Sequence, residues 1–499
     1  MSAIATLKAR LAEVADLNAA ASVLSWDQET YMPEGAARNR AHQIATLRRL
    51  SHELFVDDET VDLLDQCERE IDGEADEVDA ALLRVTRRDI DRERKLPASL
   101  VSDLAESSAL AQQAWKKARA ADHFPTFAPH LERLLDLNRQ KAEAIGFEDH
   151  LYDALLDEYE PGMATADVRR VFAELRSELV PIVHAIAERP PLDASCVHRH
   201  FDRQKQWDFG MAVLRDVGYD FEHGRQDISA HPFTTSFSLT DVRITTRVQD
   251  DFFPSAFFAT LHEAGHALYE QGIDRSLDRT PLADGTSLGI HESQSRLWEN
   301  MVGRSRAFWQ HYYPKLQSTF PDALGGVDLD TFYRALNRVE PSLIRVEADE
   351  VTYNLHIMLR FEIELALFDG KVSVSDVPAV WNDRMEEFLG IRPPNDADGV
   401  LQDVHWSLGA FGYFPTYALG NLMSAQLFDQ ARREMPDLDD QIARGEFANL
   451  LAWLREKVHR HGRVRSATRI LDDTTGSGLT AAPWIAYVRR KWGALVGPL

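Results

Sequence analysis

Between Pro254 and Gly272 the chain reads PSAFFATLHEAGHALYEQG, and this stretch constrains the fold more than any other. Phe257, Leu261, Ala264 and Leu268 recur every three or four residues, so one apolar stripe runs along a helix that has to be buried. Pro254 suits a first helical turn, where its missing N–H costs nothing, and Gly272 is a candidate stop. His262 and His266 stand one turn apart on this helix and project from one face, so both rings can hold a single Zn2+. Glu263 lies about 100° further round. It is therefore outside the ligand row, but it can reach a water in the open coordination position and act as general base. Ala264 and Gly265 are expected to leave the helix uncrowded near the metal.

The segment just before this helix has a different texture. TTSFSLTDVRITTRVQDD, residues 234–251, is rich in Thr, Val, Ile and Phe, alternates in VRITTRV and carries a turn signal at Thr240-Asp241, which predicts a short hairpin. Helical periodicity dominates elsewhere. Leu7, Leu11, Val14 and Leu17 predict a helix over 3–24, and similar patterns predict helices at 36–55, 76–90, 98–120, 126–145, 165–188 (Thr165 as N-cap) and 203–217. Further helices are expected at 291–311, 328–338, 347–368, 376–389, 416–434, 438–445, 447–460 and 482–494. The fold class is mostly α, with a small β hairpin next to the histidine helix. The acidic run from Asp57 to Asp79 reads as a solvated helix face and turn. No Gly/Ser- or Pro-rich linker interrupts the 499 residues, so a single domain over 1–499 is the simpler organisation.

Charge and cysteine content narrow the function classes. Fifty-five Lys+Arg against eighty Asp+Glu leave a formal charge of −25, which repels phosphate backbones and anionic lipid, so neither nucleic acid nor membrane is an expected partner. There is no secretory leader pattern and no long apolar run. Cys67 and Cys196, far apart, form no disulfide framework and no CxxC motif, and a cytoplasmic protein is expected.

A catalytic zinc takes three protein ligands and keeps one position open. The HExxHxxGxxH pattern is excluded, because Tyr269 and Gly272 stand where its glycine and third histidine would be. The third donor is then a carboxylate on a following helix. SLGIHESQSRLWENMVGR, residues 287–304, offers Glu292 and Glu299, and spacing alone leaves both open.

HEAGH followed by HESQS resembles the carboxypeptidase Taq family of metallocarboxypeptidases, within the gluzincin group. HPF at His231–Phe233, DVRIT at Asp241–Thr245, IRVEAD at Ile344–Asp349 and GVLQDVHW at Gly399–Trp406 occur in the family's order, and SWDQETYMP at Ser25–Pro33 is similar to it as well. The resemblance implies His262, His266 and Glu292 as ligands of one Zn2+ per chain, with Co2+ as the alternative. It also implies Glu263 as the base and a supporting place for Glu299. It further implies a large helical body with a deep active-site groove, an N-terminal helical cover over about 1–150 on a catalytic body over about 151–499, and a homodimer. The implied activity is release of single residues from peptide C-termini. The alternatives are an endopeptidase or dipeptidyl carboxypeptidase with the same zinc site and, more distantly, a metal-free helical interaction protein.

Hydrolysis also needs donors for a tetrahedral oxyanion. HWSLGAFGYFPTYALG, residues 405–420, supplies His405, Tyr413 and Tyr417. Related helical gluzincins use a His and a downstream Tyr. By that likeness His405 and Tyr417 are expected on the oxyanion or substrate, with Tyr413 as second choice; the competing role for both tyrosines is as core aromatics. A free C-terminal carboxylate calls for an arginine fork, for which Arg345 and Arg243 are candidates. Arg345 is preferred, because Arg243 has the alternative of pairing with nearby acids and pinning the hairpin. Glu347 and Asp349 are candidates to orient an arginine or a ligand histidine. The hairpin edge either aligns an extended peptide or serves only as packing.

Overall fold

The computed structural model describes residues 2–70 and 76–498. The chain packs into two compact units, each drawn from three separate stretches: Met1–Arg94, Ala194–Leu336 and Leu427–Gly476 in the first, Lys95–Asp193, Asn337–Gln426 and Ser477–Leu499 in the second.

The first unit holds the only sheet among the described residues. Its strands are β1 (Gly224–Ile228), β2 (Thr234–Ser238) and β3 (Asp241–Thr246), in the order β1-β3-β2. β2 and β3 form the predicted hairpin, with an irregularity between Ser236 and Ser238. β1, parallel to β3, was not predicted. Its sequence GRQDI has one apolar residue, Ile228, which is exposed, while Gln226 and Asp227 are buried. It pairs parallel to β3 with β2 between them in the chain, so no hairpin turn announces it.

The helix Phe253–Gly272 follows the sheet as expected, with Pro254 in its first turn. Phe253 and Phe257 stack at 5.3 Å and pack on Trp309 and Phe209, so the apolar stripe enters an aromatic core. The Thr260 hydroxyl donates to Thr246 at 3.2 Å and ties the helix to β3. Gly272 is the last helical residue, but its conformation is not what requires glycine: a Cβ there would lie 2.6 Å from His459 Nδ1.

The helix expected over 291–311 is instead Leu288–Arg296, a π-helical turn Leu297–Val302 and a separate helix Arg306–Thr319. The break occurs where Ser305 accepts the N–H of Phe308 and starts the last of these afresh. Of the acidic run, Asp58–Glu70 is helical and 71–75 lie outside the described residues.

In the second unit the helix Tyr353–Phe368 is buried on nearly all sides. It carries His356, Arg360 and Glu364 at 0% exposure among Leu355, Ile357 and Leu359. It begins later than the predicted 347, because Asp349 accepts the N–H groups of Val351 and Thr352 in the preceding turn. Thr165 is not an N-cap. The cap position of Thr165–Ala187 is Ala164, and the Thr165 N–H donates to Asp153 at 2.7 Å. The helices Leu151–Leu156 and Pro321–Leu324, too short to show a period, were also missed, as was Ala467–Thr475.

Candidate metal centre and its surroundings

His262 and His266 leave the histidine helix on one side, and Glu292 meets them from Leu288–Arg296. Their ligand atoms all lie within 4.8 Å of one another. Glu292 Oε2 is 3.7 Å from His262 Nε2 and 3.6 Å from His266 Nε2. Those separations are too long for hydrogen bonds. They leave the space that an ion with ligands at about 2.0–2.2 Å takes, and two imidazoles with a carboxylate form a donor set that suits zinc. The residues present therefore fit a bound metal.

His262 and Glu292 each have a partner behind them. His262 Nδ1 is 2.9 Å from Glu299 Oε2, and Glu292 Oε1 accepts from Arg296 Nε at 2.7 Å. Arg296 also reaches Glu299 at 3.2 Å, and Arg304 lies 3.6 Å from that carboxylate. Burial opposes the charge on Glu299, but Arg296, His262 and Arg304 outweigh it and hold the carboxyl at about 2. Burial also works against protonation of both histidines. For His262 the Glu292 and Glu299 carboxylates overcome it, whereas His266, beside two further imidazoles, is held well below its usual range.

Glu263 points elsewhere. It is buried, and one carboxylate oxygen accepts the Thr234 hydroxyl at 2.6 Å, while the same hydroxyl lies 2.9 Å from the Glu263 carbonyl. Burial raises its pKa, which gives the carboxylate the proton affinity a general base needs. Gly265 does not leave open space, as had been expected. A Cβ there would come within 2.5 Å of Gln294 O and Ser295 Cα, so glycine lets the two ligand-bearing helices touch.

In the second unit Arg345 is buried, and its Nε and Nη2 donate to Asp403 Oδ1 at 3.0 and 2.7 Å. Its Nη1 donates to the Tyr353 hydroxyl at 2.9 Å. Arg360 Nε donates to the other Asp403 oxygen at 2.6 Å. Burial works against the charge on Asp403, but Arg360 and Arg345 outweigh it and hold the carboxyl well below the usual range. His405 Nε2 is 3.2 Å from the Tyr417 hydroxyl, and burial pushes the ring down to about 4, so it is neutral at pH 7. Tyr413 packs on Tyr159 and Tyr417.

Over residues 6–492 the chain matches the family described as carboxypeptidase Taq (M32) metallopeptidase. It belongs to that family. It is 43% identical to "Thermostable carboxypeptidase 1" of Thermus thermophilus and 39% identical to "Carboxypeptidase 1" of Bacillus subtilis, in each case over 97% of both chains. The crystal structure titled M32 carboxypeptidase from Deinococcus radiodurans R1 is similar with a TM-score of 0.97 at 42% identity, covering 100% of each chain. The protein is thus a metal-dependent carboxypeptidase of the Taq family.

Within this family member the structure brings His262, His266 and Glu292 together and seats Glu299 behind His262, against its Nδ1. Arg243 lies against Asp241, with both contacts at 2.8 Å, and over the Trp26 and Phe237 rings, the pinning arrangement that was the alternative to reading a substrate. Arg345 likewise turns its fork on a carboxylate of its own chain. Glu347 is exposed and Asp349 caps a turn, so neither is bonded to an arginine or a ligand histidine; Asp403 pairs with Arg345 instead. Asp403, Arg360 and Thr234 had no predicted role. Asp403 lies in the quoted GVLQDVHW motif and was legible there; Arg360 and Thr234 carried no local signal.

Proposed function

We propose that this carboxypeptidase releases single amino acids from peptide C-termini, with Zn2+ as its ion and Co2+ as the functional substitute. The observation that carries this is the convergence of His262, His266 and Glu292 on one point, with the Glu263 carboxylate, held by Thr234, left out of the ligand set. When bound, the ion supplies Lewis-acid polarisation of the scissile carbonyl and acidifies water. Glu263 takes a proton from the attacking water and returns it to the leaving amine nitrogen. Neutral His405 and the Tyr417 hydroxyl are proposed as donors to substrate or oxyanion, with Tyr413 as the alternative tyrosine.

Arg345, preferred over Arg243, is proposed to face the substrate carboxylate. Its pairing with Asp403 leaves it rigid, which favours a geometric reading of a planar anion. The edge position of β2, whose first residue holds Glu263, supports alignment of an extended peptide by main-chain hydrogen bonds.

The family match from 6 to 492 supports one functional domain over the chain. Two buried free cysteines and a formal charge of −25 support a cytoplasmic protein acting on peptides rather than nucleic acid. Among the described residues no helix is long and apolar enough to cross a membrane. A homodimer is proposed from family resemblance, to be checked by light scattering.

The deciding experiment digests an N-terminally blocked pentapeptide with and without chelator and follows products by mass. Successive one-residue losses that stop with chelator and return with Zn2+ are expected. Dipeptide release or internal fragments would show the alternative peptidase activities instead.

A further inference from the structure

His291 stands in the HESQS motif one residue before Glu292, and the metal assignment leaves it without a role. It projects to the back of His266. Its Nδ1 is 2.6 Å from His266 Nδ1, and its Nε2 is 2.7 Å from Oε1 of Glu270, a residue 5% exposed one turn further along the histidine helix. The ring is also gripped from its other sides. The Tyr269 ring lies 5.2 Å away, and a Cβ on Gly285 would come within 2.6 Å of His291 Cδ2, so the loop before the helix closes on the imidazole. Tyr269 is itself anchored, its hydroxyl accepting the Thr286 N–H at 3.1 Å.

With His266 as a neutral metal ligand, the hydrogens on this chain of groups follow one order. To present the Nε2 lone pair beside Glu292, a neutral His266 carries its hydrogen on Nδ1. That hydrogen points at His291 Nδ1, which must then be the bare nitrogen. The hydrogen of His291 is consequently on Nε2, where it points at the Glu270 carboxylate. Each contact has one donor and one acceptor, and the carboxylate sets the direction. With Glu270 gone, His291 can carry its hydrogen on Nδ1. The His266 hydrogen is then driven to Nε2, into the ligand position.

Resting on the assignment of His262, His266 and Glu292 as metal ligands, we infer that His291 and Glu270 are positioning residues that lock His266 in its metal-binding tautomer through an imidazole–carboxylate relay. His262 is served differently, by Glu299 directly at 2.9 Å. The two histidines of one motif thus depend on separate supports, and the relay works only through His266.

The test measures metal release from the Zn2+-loaded full chain into excess chromophoric chelator, together with the visible spectrum of the Co2+-loaded chain. His291→Phe keeps the ring volume without its nitrogens, and metal release is expected to accelerate about 10–100-fold, the usual range when such a supporting group is lost. The Co2+ band should shift at the same time. Glu270→Gln keeps an acceptor but not the charge, so its effect has the same direction and is smaller. Added imidazole is expected to slow release again in His291→Ala, a rescue that a purely packing role would not show. Release within about twofold of the unsubstituted chain, well short of that range, with an unchanged Co2+ band in His291→Phe overturns the relay. Should His291→Phe fail to fold by circular dichroism, the same two readings on Glu270→Gln decide. A native chain that binds no metal at all refutes the ligand assignment itself, whereas normal metal binding with unaffected variants refutes only the relay.

Discussion

Glu263 and Glu292 are both carboxylates buried within one turn of a histidine, yet their surroundings differ. Glu292 is held at one oxygen by Arg296 while its other oxygen faces both imidazoles, and Glu263 is turned by Thr234 toward the sheet. Glu263→Gln is therefore expected to retain one metal per chain by elemental analysis and to lose nearly all turnover. Glu292→Ala loses the metal; Glu299→Ala weakens it, since it leaves His262 unoriented rather than removing a ligand. If Glu299→Ala emptied the site and Glu292→Ala did not, the third ligand would be Glu299. Thr234→Val removes one hydrogen bond to a charged group, worth about 1.5–3 kcal/mol. Expressed wholly in the chemical step, that is about a 10- to 100-fold fall in kcat. Steady-state kinetics with KM held near its original value is the check.

The centre is built on two helices pressed together, and their contact is as specific as their ligands. Gly265 sits where the backbone at Gln294 and Ser295 passes, and Ser287 starts the second helix by accepting the Ile290 N–H at 3.1 Å. Directly beyond, the π-helical turn Leu297–Val302 carries Glu299, in keeping with the tendency of such turns to appear at functional sites. Gly265→Ala is expected to force the helices apart and to cost about 1–3 kcal/mol, as overpacking typically does. The measurements are the urea midpoint of the apo chain and the metal affinity, both of which should fall. A stabilised protein, as expected of a glycine replaced in a helix with room to spare, would contradict the close-approach argument. In the second unit Glu364 performs a comparable fastening. It accepts from the Tyr152 hydroxyl, Trp406 Nε1 and the Gly412 N–H at 2.6, 2.8 and 3.1 Å, holding both ends of the segment that follows His405.

Buried histidines make the stability of the whole molecule depend on pH. His459 is fully buried with Nε2 2.9 Å from Gln294 Oε1, and burial pushes it from the ordinary 6.5 to about 3. Between those two values the unfolded chain takes up a proton that the folded chain refuses. Stability is thus fully present above 6.5 and falls as the pH falls toward 3, by up to about 1.4 kcal/mol per pH unit for each such ring. His405, held at about 4, acts with the same sign. Compared by urea unfolding at pH 7 and pH 5, His459→Gln should lose less stability on acidification than the unsubstituted chain. Much of the molecule was legible beforehand. Period-3.6 stripes located most helices within a few residues, and β-branched alternation with a turn signal located the hairpin, because these are properties of neighbouring residues. The placing of His262 and His266 on one helix face was legible for the same reason. The choice of Glu292 over Glu299 came from family resemblance; in the structure Glu292 faces the Nε2 of His262 and Glu299 faces its Nδ1. The amino-acid sequence by itself determined a helical protein with two histidines on one helix face and a glutamate beside them. Only the tertiary structure decided the pairings between distant residues: Thr234 under Glu263, Asp403 on Arg345, β1 beside β3, the helix contact at Gly265 and the His291–Glu270 relay. Nearly all of these join residues from different elements of the chain, and no local period or propensity encodes such a pair.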